Sequence, residues 1–489
     1  DGWGYQDTHE MLNTFTWGPD GWLYGTHGVF THSNVGKPGA PDAERQKLNA
    51  GVWRYHPTKH VFEVFAEGTS NPWGLDFNDY GHAFTTVCVI EHLFHVVQGA
   101  RYTRQAGKHF NPFIYDDIKT MADHVHWVGR KGPHAGNGRS GVAGGGHAHV
   151  GAMIYLGGDS WPAEYRSAIF MNNIHGHRTN VDRLDRKGSG YTASHGADFL
   201  LANDSWSQML NFRYGPDGSV HVIDWYDKNQ CHSSNPDIHQ KSLGRIFKIS
   251  HAKDRWTRVD LRKQSSDALV DLQLHRNDWY VRHARRILQE RGPDVRVHTK
   301  LRGILQTNAD VTRKLRALWA LHVTEGLREA DLVALLGHEN EYLRSWAVYL
   351  LVQDERPSDP VLARFAAMAQ QDGSALVRLY LASAMQRVAP DKRWDVLARL
   401  LAREDDAADH NQPLMVWFAA EPLAALDIPR ALTLAEASKL PNIYAYMVQR
   451  IAAIESPEAL RVLSERLART EDHARQVQLL EGITRIVKK

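Results

Sequence analysis

Cysteine is scarce in this chain, which has only Cys88 and Cys231 among 489 residues. Neither cysteine has partners at the spacing of a metal site, and the stretch CHSSN at Cys231 lacks the second cysteine of a covalent haem motif. A single long-range disulfide and two buried thiols both stay open, so cysteine usage assigns no compartment.

Long apolar runs and blocks of like charge are also missing. No run of about 18 apolar residues suggests a membrane span. The formal net charge of +2 comes without a basic block, so nucleic acid is not indicated as a partner. The chain opens on DGWGYQD without a signal peptide. Because this opening reads as sequence from within a domain, we expect residues upstream of it.

Glycine and histidine are distributed unevenly, which divides the chain in two. Of the 38 glycines and 28 histidines, 32 and 20, respectively, precede residue 251. The first half is typical of short strands separated by turns, and the second is typical of helices. A length of 489 residues also favours two domains. We predict a β domain over 1–252, a linker over 253–266 and a helical domain over 267–489.

Four blocks of the first half repeat one plan of strand, turn and strand. Two of them carry the turn Gly-Pro-Asp-Gly, in which proline fixes φ at the entry and glycine supplies the positive φ that returns the chain. Blocks of this kind predict a β-propeller with four visible blades. The blocks begin with the sequences NTFTWGPDGWLYGTHG, NPWGLDFNDYGHAFTTVC, HVGAMIYLGG and NFRYGPDGSVHVIDWYD.

The second half carries a recurring helical motif, roughly every 30 residues, which predicts a HEAT-like α-solenoid of paired helices. The motif appears as VRHA, LRAL, LRSW and VRLY. We interpret its arginines as structural residues, and Trp319, Trp346 and Trp417 as core. The segment 401–413 breaks the period and is predicted to be a loop.

Six ordered motifs in residues 1–252 resemble the dehydrogenase-type propeller domain of planctomycete and verrucomicrobial proteins, which are described as membrane-bound dehydrogenases or haem-binding proteins. The motifs are QDTHEMLN with its following hairpin, RYHPTKHVFEVFAEGTSNPWGLDFNDYG, GGGHAHVGAMIYLGG, IFMNNIHGHR, LLANDSWSQMLNFRYGPDGSVHVIDWYDKNQC and GRIFKIS. Helical repeats often follow this domain, and a c-type cytochrome domain commonly comes after them. The resemblance implies a periplasmic or secreted location and a cytochrome or other electron acceptor as partner.

That family is distantly similar to the soluble quinoprotein sugar dehydrogenases, which are six-bladed propellers. The similarity implies pyrroloquinoline quinone and calcium as cofactors, a carbohydrate substrate, and about two further blades upstream. It also implies that His9 is the general base, and we expect the nearby Asp7 to orient its ring. In the motif Ser70-Asn71-Pro72-Trp73-Gly74, serine stands where the relatives have a quinone-binding arginine.

Two H-x-H pairs supply further candidates for the site. His147 and His149 would share one face of a strand, and with His175 and His177 they offer ligand types that suit zinc or another transition metal. Polar residues lining a water-filled channel are the alternative interpretation. Cofactor or substrate contacts are predicted for Asn71, Trp73, Asn173 and Arg178, together with the four histidines. The acidic and imidazole side chains of 110–127 follow no ligand spacing.

Three classes of function follow from these patterns. The first is a quinoprotein-like oxidoreductase that oxidises a sugar or polyol hydroxyl at the propeller axis, with the solenoid docking an electron acceptor. The second is a non-redox carbohydrate enzyme, either a polysaccharide lyase or a hydrolase. The third is a non-catalytic scaffold that binds carbohydrate or protein, since propellers and solenoids both offer broad surfaces.

Overall fold

Four small antiparallel sheets form the first half of the chain in the computed structural model, which describes residues 1–7, 11–126, 149–228, 235–251 and 258–488. Blade 1 contains β1 (Asn13–Trp17), β2 (Leu23–His27), β5 (Gly51–His56) and β6 (Val61–Thr69), and β3 (Ser33–Val35) pairs with β4 (Gln46–Leu48) in a separate ribbon. Blade 2 contains β7 (Asn71–Phe77), β8 (Ala83–Cys88) and β9 (Phe94–Val96). The strand β10 (Arg101–Arg104) runs parallel to β6 at the edge of blade 1.

Two further sheets complete the described blades. Blade 3 contains β11 (Val150–Ile154), β12 (Ile169–Asn173), β13 (Arg178–Lys187) and β14 (Gly190–His195), with β15 (Leu200–Leu201) paired to β13. Blade 4 contains β16 (Met209–Tyr214), β17 (Val220–Asp224) and β18 (Arg245–Ile249). These sheets coincide with the four sequence blocks, and the prediction of a β-propeller is confirmed.

The two Gly-Pro-Asp-Gly sequences form matching hairpin turns. The amide of Gly21 donates to the carbonyl of Gly18 at 3.2 Å, and that of Gly218 donates to the carbonyl of Gly215 at 3.0 Å. Gly21 and Gly218 have φ of 82° and 83°, a conformation that side chains with a Cβ rarely adopt. The turn chemistry read from the sequence therefore fixes the ends of β1 and β16.

Side chains join the first strands of neighbouring blades. The hydroxyl of Thr16 in blade 1 donates to the carbonyl of Leu75 in blade 2 at 3.1 Å. The amide of Ile154 in blade 3 donates to the carboxylate of Asp76 in blade 2 at 2.8 Å. Arg213 in blade 4 donates to the backbone of Phe15 in blade 1. The strands β1, β7, β11 and β16 are therefore the inner strands, and their starts and ends define two faces of the propeller.

The second half of the chain is entirely helical where it is described, and none of the described helices is both long and apolar enough to cross a membrane. Asparagine, aspartate or serine caps the N-termini of several helices by accepting a backbone hydrogen bond. The helices are α1 (Ser266–Asp271), α2 (Asp278–Arg291), α3 (Val295–Thr307), α4 (Val311–Val323), α5 (Glu329–Leu335), α6 (Glu341–Leu351), α7 (Asp359–Gln371), α8 (Ala375–Met385), α9 (Trp394–Leu401), α10 (Gln412–Ala420), α11 (Ile428–Glu436), α12 (Ile443–Ala452), α13 (Pro457–Leu467) and α14 (His473–Val487).

The four motif-bearing helices, α2, α4, α6 and α8, stack in sequence and form an inner row that packs on the propeller. Trp319, Trp346 and Trp417 are 4%, 3% and 0% exposed, as expected of core residues. The indole of Trp346 donates to the carbonyl of Tyr80 at 2.8 Å, and that of Trp417 donates to the carbonyl of Phe113 at 3.0 Å. One apolar core is therefore shared by the two halves.

A buried charge network joins α2 and α4 to blade 2. Arg282 donates to Asp76 and to Asp278, both at 2.6 Å, and Arg316 pairs with Asp79 at 3.2 Å and with Asp278 at 3.0 Å. Burial alone would raise the pKa of Asp278, but the neighbouring guanidinium groups lower it to about 2. The ionised carboxylate is therefore a structural part of the contact between the halves.

We predict that Asp278 makes the structure acid-sensitive. Its pKa in the folded protein lies below the value of about 3.9 expected for an unfolded chain, so its contribution is complete above pH 4 and is lost as the pH falls towards 2. The difference in the free energy of unfolding between the wild type and Asp278→Asn should shrink by about 1 kcal/mol from pH 6 to pH 3. Urea denaturation at both pH values measures this difference.

Asp359→Asn is the matched control, because the Asp359 side chain is 82% exposed. It should leave the free energy of unfolding nearly unchanged at both pH values. A difference between wild type and Asp278→Asn that stays constant with pH would contradict the assignment of an ionised buried carboxylate.

Candidate metal centre

Three imidazoles converge on one buried carboxylate between blades 2 and 3. His92 lies in the loop between β8 and β9, His124 and His126 lie in the segment that follows β10, and Asp182 lies within β13. The strand pairs Asp182 with Ile169 on one side and His195 on the other, which fixes its backbone. One ligand atom from each of the four side chains lies within 4.8 Å of all the others.

The contacts to Asp182 are direct. The Nε2 atom of His92 lies 2.9 Å from Oδ2 of Asp182, and the Nε2 atoms of His124 and His126 lie 3.1 and 2.9 Å from Oδ1. The two latter nitrogens are 3.2 Å apart. All three imidazoles therefore present the same ring atom to one small volume, which is the arrangement of ligands around a metal ion.

Burial favours the neutral imidazole at two of the three histidines. It lowers the pKa of His126 to about 4 and lowers the pKa of His92, whereas at His124 hydrogen bonds to Asp182 and Asp123 outweigh burial and raise the pKa. Burial alone would raise the pKa of Asp182, but hydrogen bonds from the three histidines hold it well below its usual range. Neutral imidazole and ionised carboxylate are the protonation states that bind a metal.

The donor set distinguishes between metals. Three imidazole nitrogens and one carboxylate oxygen suit zinc, iron, copper or manganese, because imidazole is a ligand of intermediate softness. Calcium prefers six to eight oxygen ligands, so the cluster does not match the calcium expected from the family resemblance.

Groups around the cluster hold its rings in place. The Nδ1 atom of His124 donates to Asp123 at 2.8 Å, and the hydroxyl of Ser194 donates to the same carboxylate at 2.9 Å. The ring of His149 stacks on that of His92 with centroids 3.8 Å apart. A carboxylate that orients a ligating histidine is a common second contact in metal sites and raises the affinity for the ion.

A family profile described as a domain of unknown function, DUF7133, matches residues 1–253. The chain belongs to this family. No curated protein matches the chain.

Three solved structures resemble part of the DUF7133 protein. They are a putative oxidoreductase (glucose dehydrogenase) from Thermus thermophilus (16% identity, 48% of this chain and 63% of that one, TM-score 0.29), the quinone (PQQ)-bound aldose sugar dehydrogenase from Streptomyces coelicolor (15%, 49% and 62%, TM-score 0.30) and a glucose dehydrogenase (17%, 49% and 64%, TM-score 0.28). The chain spans less than two thirds of the length of each.

Two residues predicted for the site, His9 and His147, lie outside the described residues of the DUF7133 domain. The amide of Asp7 donates to the hydroxyl of Thr31 at 3.2 Å, so its backbone is anchored to the loop after β2. The roles predicted for His9 as a base and for Asp7 as its orienting group stay predictions.

The structure brings two of the predicted residues to the metal-type cluster. His149 stacks on His92, and the amide of Asn173 donates to the backbone carbonyl of His126 at 3.2 Å. Both residues border the cluster, and neither is one of its four members.

The other predicted residues make contacts elsewhere in the DUF7133 domain. Asn71 accepts a hydrogen bond from the amide of Val29 at 3.3 Å, and Trp73 packs beside the buried Cys88. The remaining three predicted positions lie at the junction with blade 4 or near it. His175 is buried, His177 donates to the carbonyl of Ser207 at 2.9 Å, and Arg178 pairs with Asp198 at 2.7 Å.

Sequence reasoning missed His92 and Asp182, and it noticed His124 and His126 without assigning them a site. The pair His124-Val125-His126 has the same H-x-H pattern as the two predicted pairs, so it was a usable signal. No sequence signal pointed to Asp182, because it is one of several polar residues in β13. Only the folding of blade 3 brings it to the histidines.

The quinone predicted from the resemblance finds little support at the motif that suggested it. The hydroxyl of Ser70, which replaces the arginine, donates to the side chain of Gln105 and is 0% exposed. It carries no charge for a quinone carboxylate. Arg178 is committed to Asp198, so the described residues of this region do not fit the quinone, and no step is derived through it.

We predict that the full chain binds about one transition-metal ion at this cluster. Asp182→Asn and His126→Gln should each lower the affinity at least tenfold, because each removes a ligand from a buried site. Metal analysis after dialysis against a weak chelator measures the bound ion.

His221→Gln is the control. His221 is exposed on β17 of blade 4, where it pairs with Lys248 of β18, and it is not a member of the cluster. It should retain the metal content of the wild type. Equal metal content in the wild type and in a folded Asp182→Asn protein, checked by circular dichroism, would show that the ion binds elsewhere.

Proposed function

We propose that the DUF7133 domain is the catalytic unit of a transition-metal-dependent oxidoreductase that oxidises a hydroxyl group of a sugar or polyol. The observation that carries this proposal is the convergence of three Nε2 atoms on the carboxylate of Asp182. Three imidazole nitrogens and one carboxylate oxygen in a buried volume are a donor set that suits a transition metal, and such an ion would supply chemistry that a binding scaffold does not use.

The reaction proposed is a two-electron oxidation. The carbon that carries the hydroxyl group loses a hydrogen with two electrons, the hydroxyl oxygen loses its proton, and a carbonyl group forms. An external acceptor of the quinone or redox-dye class takes up the two electrons. A bound metal ion would supply Lewis acidity that favours loss of the hydroxyl proton.

Among the described residues, the members of the cluster region that are accessible to solvent are His124 and its neighbour His195. The side chain of His124 is 17% exposed and that of His195 is 45% exposed, whereas those of His92 and Asp182 are 0% exposed. The rings of His124 and His195 stack with centroids 5.3 Å apart. A substrate would therefore approach His124, while His92 and Asp182 hold the centre from within.

The proton acceptor proposed is a histidine at the same face. The Nε2 atom of His195 lies 3.3 Å from the carboxylate of Asp198, which orients the ring beside the cluster. His9, the base implied by the family resemblance, is the second candidate. A carbohydrate substrate, a periplasmic or secreted location and a cytochrome acceptor complete the proposal and rest on that resemblance.

The test is dye-linked oxidation of a panel of sugars and polyols by the full chain. The protein is stripped of metal and reloaded with zinc, manganese, iron or copper, each with and without pyrroloquinoline quinone and calcium. We expect oxidation that requires a transition metal. Failure of every metal-loaded form to oxidise the panel would overturn the proposal, and ultraviolet absorbance of unsaturated products from anionic polysaccharides would instead support a lyase.

We further predict that Asp123→Asn lowers both the metal affinity and the oxidation rate about tenfold or more, because Asp123 orients His124. Asp116→Asn is the matched control from the same segment, since the Asp116 carboxylate is 44% exposed and pairs with Lys119 on the surface. Metal affinity measured alongside the rate separates loss of the ion from loss of substrate. Equal affinities in both variants would contradict the role of Asp123.

A further inference from the structure

A second site lies on the propeller axis, where the inner strands end. A cavity of about 340 Å³ opens there on the axis, between the four blades and helix α2. All four inner strands contribute to its wall, and α2 covers one side of it. Ligand sites favour this kind of place, at a propeller axis and at a boundary between domains.

Arg213 is the charged side chain of the cavity wall that can pair with a ligand. It is exposed, and the surface it exposes lines the cavity. Its guanidinium donates to the backbone carbonyl of Phe15 and to the hydroxyl of Thr16, both at 3.1 Å, which holds the side chain across the axis. Among the described residues, no carboxylate lies within ion-pair distance of Arg213.

The other charged groups of the cavity wall are already paired. Arg282 donates to Asp76 and Asp278, and Arg286 pairs with Glu290 at 3.1 Å while lying over the ring of Trp17. The cavity therefore has one uncompensated positive charge, contributed by Arg213. A planar guanidinium that is already oriented matches a carboxylate.

Aromatic rings form much of the rest of the wall, beside Thr16, Met153 and His283. Phe15 lies within β1 and Trp17 ends it, Tyr214 ends β16, and Trp279 belongs to the first turn of α2. The hydroxyl of Tyr214 is buried and has no hydrogen-bond partner among the described residues, which is costly unless a ligand or water supplies one. Tryptophan and tyrosine faces suit a ring with an apolar face and polar edges.

We infer that this axial cavity binds a small organic carboxylate built on a single ring, with the carboxylate on Arg213 and the ring against the tryptophans. Both a sugar acid and an aromatic acid have this chemistry. The inference is independent of the proposed metal centre, because no residue of the cavity wall belongs to the histidine cluster.

Calorimetry and tryptophan fluorescence with the full chain test this site. The probes are galacturonate and benzoate, with galactose and benzyl alcohol as their uncharged counterparts. We expect one of the acids to bind at least tenfold more tightly than its counterpart and to raise the melting temperature, because it contacts strands and α2 together. Which acid binds identifies the ring as saturated or aromatic.

Variants locate the binding. Arg213→Gln should weaken the bound acid at least tenfold, Arg213→Lys should weaken it less, and Trp279→Leu should weaken it without abolishing the preference for the acid. Arg296→Gln is the control, because the side chain of Arg296 is 85% exposed on α3. The comparison of acid and neutral probes needs only the wild type, so it remains decisive if Arg213→Gln does not fold.

Three results would overturn the inference. They are the absence of binding by both acids to the folded wild type, equal affinities for an acid and its uncharged counterpart, and an affinity that a folded Arg213→Gln protein retains. None of these results bears on the metal centre, whose test is the metal content.

Discussion

The requirement that a buried carboxylate be paired organises this protein more than any other interaction. Asp76, Asp278 and Asp182 are all buried, and an unpaired ion in such surroundings costs several kcal/mol. Arg282, the arginine of the first helical motif, pairs with both Asp76 and Asp278. It therefore joins α2 to the inner strand of blade 2. Asp182 obtains its partners from three histidines, which creates a set of metal ligands. The same constraint thus produces a structural contact in one place and a candidate reactive centre in another.

The recurring motif arginine shows how one sequence position takes two structural roles. In α2 and α4 the arginines reach aspartates of the propeller, whereas Arg344 and Arg378 pair with Asp372 and Asp406 within the solenoid. The inner row of helices therefore uses its first members to bind the propeller and its later members to hold adjacent repeats together.

Local patterns predicted those parts of the fold that local interactions determine. The Gly-Pro-Asp-Gly turns, the four sheets and the buried tryptophans followed from turn chemistry and periodicity, which act over a few residues. The centre did not follow, because His92 and Asp182 are far apart in sequence and belong to different blades. Their meeting depends on how blades 2 and 3 pack, and no spacing rule contains that information. The pair His124 and His126 was visible, but a pair supplies only half of a ligand set.

The two candidate sites are built in different ways, and the difference has a physical basis. In the cluster, segments between the strands bring His92, His124 and His126 to a carboxylate within β13. At the ends of the strands, the walls are regular β-structure, and α2 supplies the missing side of an enclosed volume. Converging loops can supply several ligands to one metal ion. A cavity with regular walls instead recognises a ligand by the fit of its shape and by a single charged group. Because Asp76 lies on the cavity wall and its carboxylate also pairs with α2, occupation of the cavity would act on the junction between propeller and solenoid. The solenoid thus supplies, through α2, both one side of the axial cavity and the charged contact with blade 2.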